Sequence, residues 1–310
     1  MMVPRTRTAG IVLAFVTAAI SGVSVFVNGY GTKHFHDATV YTTSKNLVAA
    51  VLLASLAVGV TRLRPSSEAR VPFTSRERLG FLAVGVIGGA IPFVLFFEGL
   101  KRASSTDAAF LQKTLVVWVA LLAVPLLRER LNAGHVGAIA LLVVGQAKLT
   151  SGWPSLRADA ASTLILAATL CWAVEVVIAK RLLARRSALT LGAARMGIGV
   201  AALVMWVAVT GRLHVLVGLG ADAWGWALLT GVLLCAYVVC WFAALARAQA
   251  VDVTAVLVAG ALVTAALNAA AQGVALRPQA AGLIIIATGV ALACVATRQS
   301  QSPAVEPSAL

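Results

Sequence analysis

The chain says one thing twice. The stretch FFEGLKRASSTDAAF from Phe96 aligns without a gap on WFAALARAQAVDVTA from Trp241, 145 positions later. Phe97 meets Phe242, Leu100 meets Leu245, Arg102 meets Arg247, Ala103 meets Ala248 and Asp107 meets Asp252. The register holds onward to Leu131 with Leu276, Gly137 with Gly282 and Ile139 with Ile284. Ala and Leu matches are cheap in a chain rich in both, but the Phe, Arg, Asp and Gly matches are not. An internal duplication therefore constrains every later step, because any fold must hold two copies of one unit.

The solvent of that fold follows from composition. Of 310 residues 60% are hydrophobic and 12% charged, and the mean hydropathy is +0.94. A soluble domain carries about 45–50% and about 25%. No soluble core hides so much apolar surface, so the bilayer must take it. A membrane helix needs about 20 mainly apolar residues. Ten such runs are present, at 9–28, 38–61, 79–100, 106–127, 133–150, 160–183, 188–210, 222–245, 252–275 and 280–297. Arg-Pro-Ser-Ser follows the second run, Asn132 is placed to cap the fifth, Trp153-Pro154 parts the fifth from the sixth, and Pro278 precedes the tenth. The first run follows Arg5 and Arg7 but is too long for a signal peptide. The polar tail from Gln299 is expected to be disordered.

Five runs fall in each copy. Because five is odd, the second copy enters the membrane from the opposite face. The expected fold is an all-α integral membrane protein of ten transmembrane helices, built as two inverted five-helix repeats over 1–152 and 153–298, with a tail at 299–310. Inverted repeats are a device of secondary transporters. The formal charge of +14 fits this topology. Most of the 25 Lys and Arg flank the runs on the side of the N-terminus, as the positive-inside rule requires of a cytoplasmic face. The basic balance is thus a topology signal and not a nucleic-acid footprint. Both termini are expected in the cytoplasm and the protein in the cell membrane.

Chemistry-bearing motifs are sparse. Cys171, Cys235, Cys240 and Cys294 lie in apolar runs and read as small core residues. The four His show no metal-ligand spacing, and neither a GxGxxG nor a P-loop is present. No cofactor or metal is expected. Charges within the runs are more telling, since each costs at least about 2.5–3.5 kcal/mol at the bilayer centre. Depth along the helices puts Lys45, Lys113 and Glu98 in one cluster toward the outside, and Glu175 with Arg195 in another toward the inside. These are candidates for a polar cavity lining, with Glu98 and Glu175 as proton or substrate-amine sites. Three cations against two anions favour a substrate carrying a carboxylate or phosphate. Trp172 and Tyr237 lie mid-helix as candidate walls. Asn268 and Gln272 share a face, placed either to join helices or to line the path. Trp224 and Trp226 read as interfacial belt residues. Glu129, between Arg128 and Arg130, reads as a structural or gating ion pair. Asp107 and Asp252 read as local caps that accept from free N–H groups at helix starts. Gly85, Gly88 and Gly89, before Pro92, read as close-packing and hinge positions.

The chain resembles the EamA-type members of the drug/metabolite transporter superfamily. The resemblance is carried by Gly99-Leu100-Lys101-Arg102-Ala103 through Leu127-Arg128-Glu129-Arg130-Leu131 to Gly137. It is carried also by the second-half opening, Leu166 to Trp172-Ala173 and Ala179-Lys180-Arg181, and by a basic residue early in the second helix of each half, Lys45 and Arg195. The chain departs from the family pattern at Ser21-Gly22, at Lys45 where Arg is commoner, and at Val274, where the counterpart of Glu129 would fall. The resemblance implies ten helices, inverted repeats and transport of small metabolites. The partners this reading allows are a small-molecule substrate, the lipid bilayer, protons as coupling ion and a second copy of the chain. Two other classes remain in view. An intramembrane lipid-modifying enzyme needs a convergent His/Asp, Ser/His or metal cluster, and no His lies mid-run. A non-transporting receptor or assembly subunit would lack a large soluble domain to signal through.

Overall fold

A computed structural model describes residues 4–63, 72–100, 102, 105–149, 159–273 and 277–299. In order, its helices are α1 (Pro4–Gly31), α2 (Ala38–Leu63), α3 (Ser75–Ala83), α4 (Ile91–Leu100), α5 (Ser105–Lys113), α6 (Leu115–Leu127) and α7 (Ala133–Leu149). The second half holds α8 (Ala160–Leu182), α9 (Ala188–Val209), the short α10 (Leu213–Val217), α11 (Ala221–Arg247), α12 (Ala250–Leu257), α13 (Gly260–Gln272) and α14 (Ala280–Gln299). Helices α3 and α4 form one span, joined through a π-helical turn at Val84–Gly88. Helices α5 and α6 form the fourth span, and α12 and α13 the ninth. Among the described residues nine spans are long and apolar enough to cross a membrane, and Ala133–Leu149 is a tenth, shorter apolar helix. The expected ten spans are therefore present. Gln299 ends α14 and does not begin the tail; residues 300–310, the Arg-Pro-Ser-Ser break and Trp153-Pro154 lie outside the described residues.

Helix α2 shows which solvent the chain is built for. Its polar residues face inward: Thr42, Thr43, Ser44, Lys45 and Asn46 are all buried. Apolar residues of its later turns face outward, with Val51 58% and Val58 51% exposed. A soluble helix has the opposite arrangement. The same outward apolar girdle runs over Val12, Leu121, Met205, Val209 and Ile284, the surface that hydrocarbon covers.

The packing is two-fold in pattern. Helix α2 packs on its own mate α9, and α7 on its mate α14. Helix α1 packs on α11; correspondingly α8 packs on α4. Helix α1 also meets α12 and α13, as α8 meets α5 and α6. This mate-for-mate pattern is what two inverted copies require. The α7–α14 seam is made of small residues. A Cβ on Gly145 would meet the Gly282 carbonyl at 3.1 Å, and one on Gly134 would meet the Ala296 Cβ at 2.9 Å. Helices associate in lipid by such close approach.

The repeat extends to backbone detail. The fourth span breaks at Thr114, where Thr114 N–H and then Val117 N–H bond three residues back, to Leu111 and Thr114 carbonyls. The ninth breaks at Val258–Ala259 by the same tightened turns. Helices α6 and α13 then restart at Leu115 and Gly260 and end at Leu127 and Gln272, a separation of 145 at both ends. Each is closed by a left-handed residue, Arg128 with φ 56° and Gly273 with φ 64°.

Candidate functional site

Three of the polar groupings among the described residues hold side chains singled out in the sequence. The first is Glu175 of α8 with Arg195 of α9. Arg195 Nε donates to Glu175 Oε1 at 2.5 Å and Nη2 to Oε2 at 3.3 Å. Both residues are buried. The π-helical turn supplies the third member. Its Gly88 carbonyl has no donor four residues on, because Pro92 lacks an N–H, and it accepts from Arg195 Nη2 at 2.9 Å and from Trp172 Nε1 at 3.2 Å. Gly88 is required here, since a Cβ there would lie 2.1 Å from Glu175 Cδ. Trp172 stands edge-on to Phe93 at 5.7 Å. Tyr237 stacks on Trp241 at 5.9 Å and lies within electrostatic reach of Arg195 and Glu175. Sequence reasoning expected Glu175 and Arg195 in one cluster, and the fold pairs them with Trp172 alongside. Gly88 and Gly89 read as hinge positions; Gly88 is also a ligand to the pair, and Gly89 lets α9 cross, with its Cβ position 2.8 Å from the Arg195 carbonyl.

The second grouping is the repeat mate of the first. Lys45 is the eighth residue of α2, as Arg195 is the eighth of α9. Its ammonium donates to Asn28 Oδ1 at 3.3 Å and lies 5.0 Å from the centre of the Tyr41 ring. The Tyr41 hydroxyl also donates to Asn28. The expected outer cluster does not form as a contact: among the described residues no ion pair joins Lys45 or Lys113 to Glu98. Lys113 is half-buried at the last turn of α5, just before the Thr114 break. Glu98 is half-buried in α4. Asn268 lines a recess of about 260 Å³ with Phe26, Tyr30, Lys33 and Thr264; the Gln272 side chain lies outside the described residues.

The third grouping was not legible in advance. At the end of the bundle that bears the chain termini, Asp252 of α12 accepts from Arg7 at 2.7 Å, from Thr297 at 2.8 Å and makes a 3.0 Å bond to His135 Nε2. Asp252 is fully buried, at 1% exposure. The reading of Asp252 as a local cap is therefore corrected. Its carboxylate is held by side chains of α1, α7 and α14, and the free N–H groups of α12 are met by another acid. That acid is Glu129, whose Oε1 accepts from Ala250 N at 2.7 Å and Oε2 from Val251 N at 3.1 Å. Glu129 is thus a helix cap reaching from the first half into the second, not an ion pair with Arg128 and Arg130. A carboxylate suits the positive end of a helix. Lys180 completes the group, donating to the Leu245 carbonyl and, at 2.5 Å, to that of Ala248. Asn132 caps α7 as expected, accepting from His135 N at 3.0 Å, and also donates to the Ala296 carbonyl at 3.2 Å. The Asp107 side chain, repeat mate of Asp252, lies outside the described residues. A recess of about 640 Å³ opens above this latch, lined by Leu126, Arg128, Glu129, Lys180, Arg181 and Gln249.

Two inverted five-helix units, with a buried ion pair in the second and a polar latch joining them at one end, define a multi-pass membrane protein of the transporter class. The profile of the EamA-like transporter family matches residues 8–150 and again 160–295, and the chain belongs to that family. It is a membrane transporter of the drug/metabolite transporter superfamily. A solved structure described as "Crystal structure of protein" is similar in fold, with a TM-score of 0.72 at 16% identity, covering 95% of this chain and 99% of the other. No curated protein matches the sequence.

Proposed function

We propose that this protein is a secondary-active exporter of small metabolites, of the amino acid, organic acid or drug type, working by alternating access in the cell membrane with both termini cytoplasmic. The observation that carries this is the latch. Its bonds cross between halves, from Arg7, Glu129 and His135 of the first to Asp252, Ala250 and Val251 of the second. Breaking it would release bonds that tie the halves at that end without unfolding either; the Arg186–Glu77 ion pair, at 2.9 Å, is a second such tie to be broken. The paired breaks at Thr114 and Ala259 support the same reading, because they let the fourth and ninth spans bend at equivalent positions counted from opposite faces. The positive charge flanking the terminal end supports its cytoplasmic assignment.

On this reading the path runs past Glu175 and Arg195, walled by Trp172 and Tyr237, with Lys45, Lys113, Glu98 and Asn268 toward the other end. Glu175 and Glu98 are the proposed proton-coupling groups, and 1–152 and 153–298 move as the two units. The test is efflux from proteoliposomes loaded with a metabolite panel, with and without an imposed pH gradient. Solute movement driven by the gradient supports the reading. Movement indifferent to it removes proton coupling, and binding of a protein partner with no solute movement favours a receptor or assembly role.

A further inference from the structure

The two repeat-mate cations are satisfied differently. Arg195 meets an internal carboxylate through two nitrogens. Lys45, at the same helical position in the other half, meets only the neutral amide of Asn28 and the face of Tyr41. Among the described residues no carboxylate lies within ion-pair distance of it. Both cations are nine-tenths buried, at 9% and 8% exposure.

The surroundings of Lys45 add an independent observation. Asn46 is 1% exposed and neither its amide nitrogen nor its amide oxygen has a hydrogen-bond partner. Thr42, one turn earlier on that face of α2, is 1% exposed and its hydroxyl is likewise unpartnered. The Ser24 hydroxyl is buried and unpartnered on α1, one turn before Asn28. Buried polar atoms without partners are rare in native proteins and call for a reason. Here three such atoms belong to residues within one turn of Lys45 on α2, and the fourth to a residue one turn from its partner Asn28 on α1. In the other half the mate of Asn46 is Met196 and the mate of Thr42 is Gly192, so the orphaned groups belong to the Lys45 half alone.

Resting on the transporter reading above, we infer that Lys45, with Asn28, Asn46 and Thr42, forms the subsite for a carboxylate group of the transported molecule. Glu175 in the second half shows what this position of the fold accepts. A carboxylate has two oxygens and about four lone-pair sites. It can take the ammonium, the Asn46 amide N–H and a hydroxyl together, which a neutral amide or an amine cannot. Selectivity for an acid over its amide follows, because the wrong ligand leaves the ammonium unpaired in a desolvated site.

The test uses the full chain in detergent and in proteoliposomes. The probes are small acids each paired with its primary amide: lactate with lactamide, succinate with succinamide, phenylalanine with phenylalaninamide. Thermal stabilisation reports binding and counterflow reports movement. At least one acid is expected to stabilise the protein with its amide at least about tenfold weaker, the scale of one charge-assisted hydrogen bond. Lys45→Gln removes that preference and Lys45→Arg retains it. An amide that binds as well as its acid, or a Lys45→Gln protein with undiminished acid affinity, overturns the inference. So does an absence of stabilisation by every acid. If Lys45→Gln fails to fold, the acid–amide comparison on the unaltered chain decides alone. Amides moved as well as acids would sink the subsite but leave the transporter reading standing. An acid bound selectively but never moved would do the reverse.

Discussion

Glu129 of the first repeat caps helix α12 of the second, with one carboxylate oxygen on Ala250 N at 2.7 Å and the other on Val251 N at 3.1 Å. Two otherwise unsatisfied backbone donors therefore depend on a side chain 121 residues away. Removing it leaves them buried.

Glu129→Ala is expected to loosen the terminal end of the bundle by about 1–3 kcal/mol, the cost of buried donors without acceptors. Glu129→Gln, which keeps an acceptor oxygen, should lose less. The measurement is the labelling rate of a cysteine introduced at Gln249 by an impermeant thiol reagent. A rate unchanged by Glu129→Ala contradicts the latch.

The same residue sets a pH dependence. Burial holds the Glu129 carboxyl above the usual carboxylate range, against the opposing pull of its two backbone donors and Lys180; Asp252 pushes it further up. The folded chain thus holds this proton more tightly than the unfolded chain. Its contribution to stability is present in full below the ordinary Glu pKa of about 4.3 and is lost as pH rises through the raised value. Stability measured from acid to neutral pH should fall across that window more steeply in the native chain than in Glu129→Gln. Identical slopes would refute this.

Gly88 and Glu175 occupy one space. Gly88→Ala must displace the Glu175 carboxylate, whose Cδ lies 2.1 Å from the new Cβ. The expected cost is about 1–3 kcal/mol from overpacking, together with loss of transport. Glu175→Gln, which strands Arg195, should cost about 3–5 kcal/mol, and replacing Arg195 by Met as well should recover part of it. Thermal melts in detergent read the cycle. A purely additive double variant would mean the pair is not coupled.

Arg128 and Gly273 hold the same left-handed position in the two repeats. Only glycine adopts it without strain. Arg128→Gly should leave the melting point unchanged or raise it, within about 1 kcal/mol, while Gly273→Ala should lower stability by about 1 kcal/mol. A destabilised Arg128→Gly would show that the guanidinium itself is needed.

Much of this architecture was legible in the residues. The 145-residue register that aligned Phe97 with Phe242 also locates the Thr114 and Ala259 breaks and the Arg128 and Gly273 caps, because a duplicated sequence duplicates its local backbone. The Glu175–Arg195 pair was legible because depth along a helix is counted from its ends and the two share a half. The latch was not. Its partners lie 245 residues apart for Arg7 and Asp252 and 117 for His135 and Asp252, and helix periodicity carries no information at such separations. Arg7 and Lys180 read as flanking charge, since positive-inside counting treats every basic residue alike. Asp252 read as a cap because its position early in a helix is where caps occur, while the residue that fills that role sits in a loop of the other half. The orphaned amide of Asn46 has no sequence signature; only burial without a partner exposes it.

The central claim is that the halves close one end as they open the other. It is tested most directly by distances between spin labels on a chain without its four native cysteines, one pair at Arg130 and Arg247 by the latch and one at Lys33 and Thr163 at the far end. Replacing Asp252 with Asn, which weakens the bonds to Arg7, His135 and Thr297, should lengthen the first distance and shorten the second. Both distances changing in the same direction, or neither changing, would contradict alternating access about this latch.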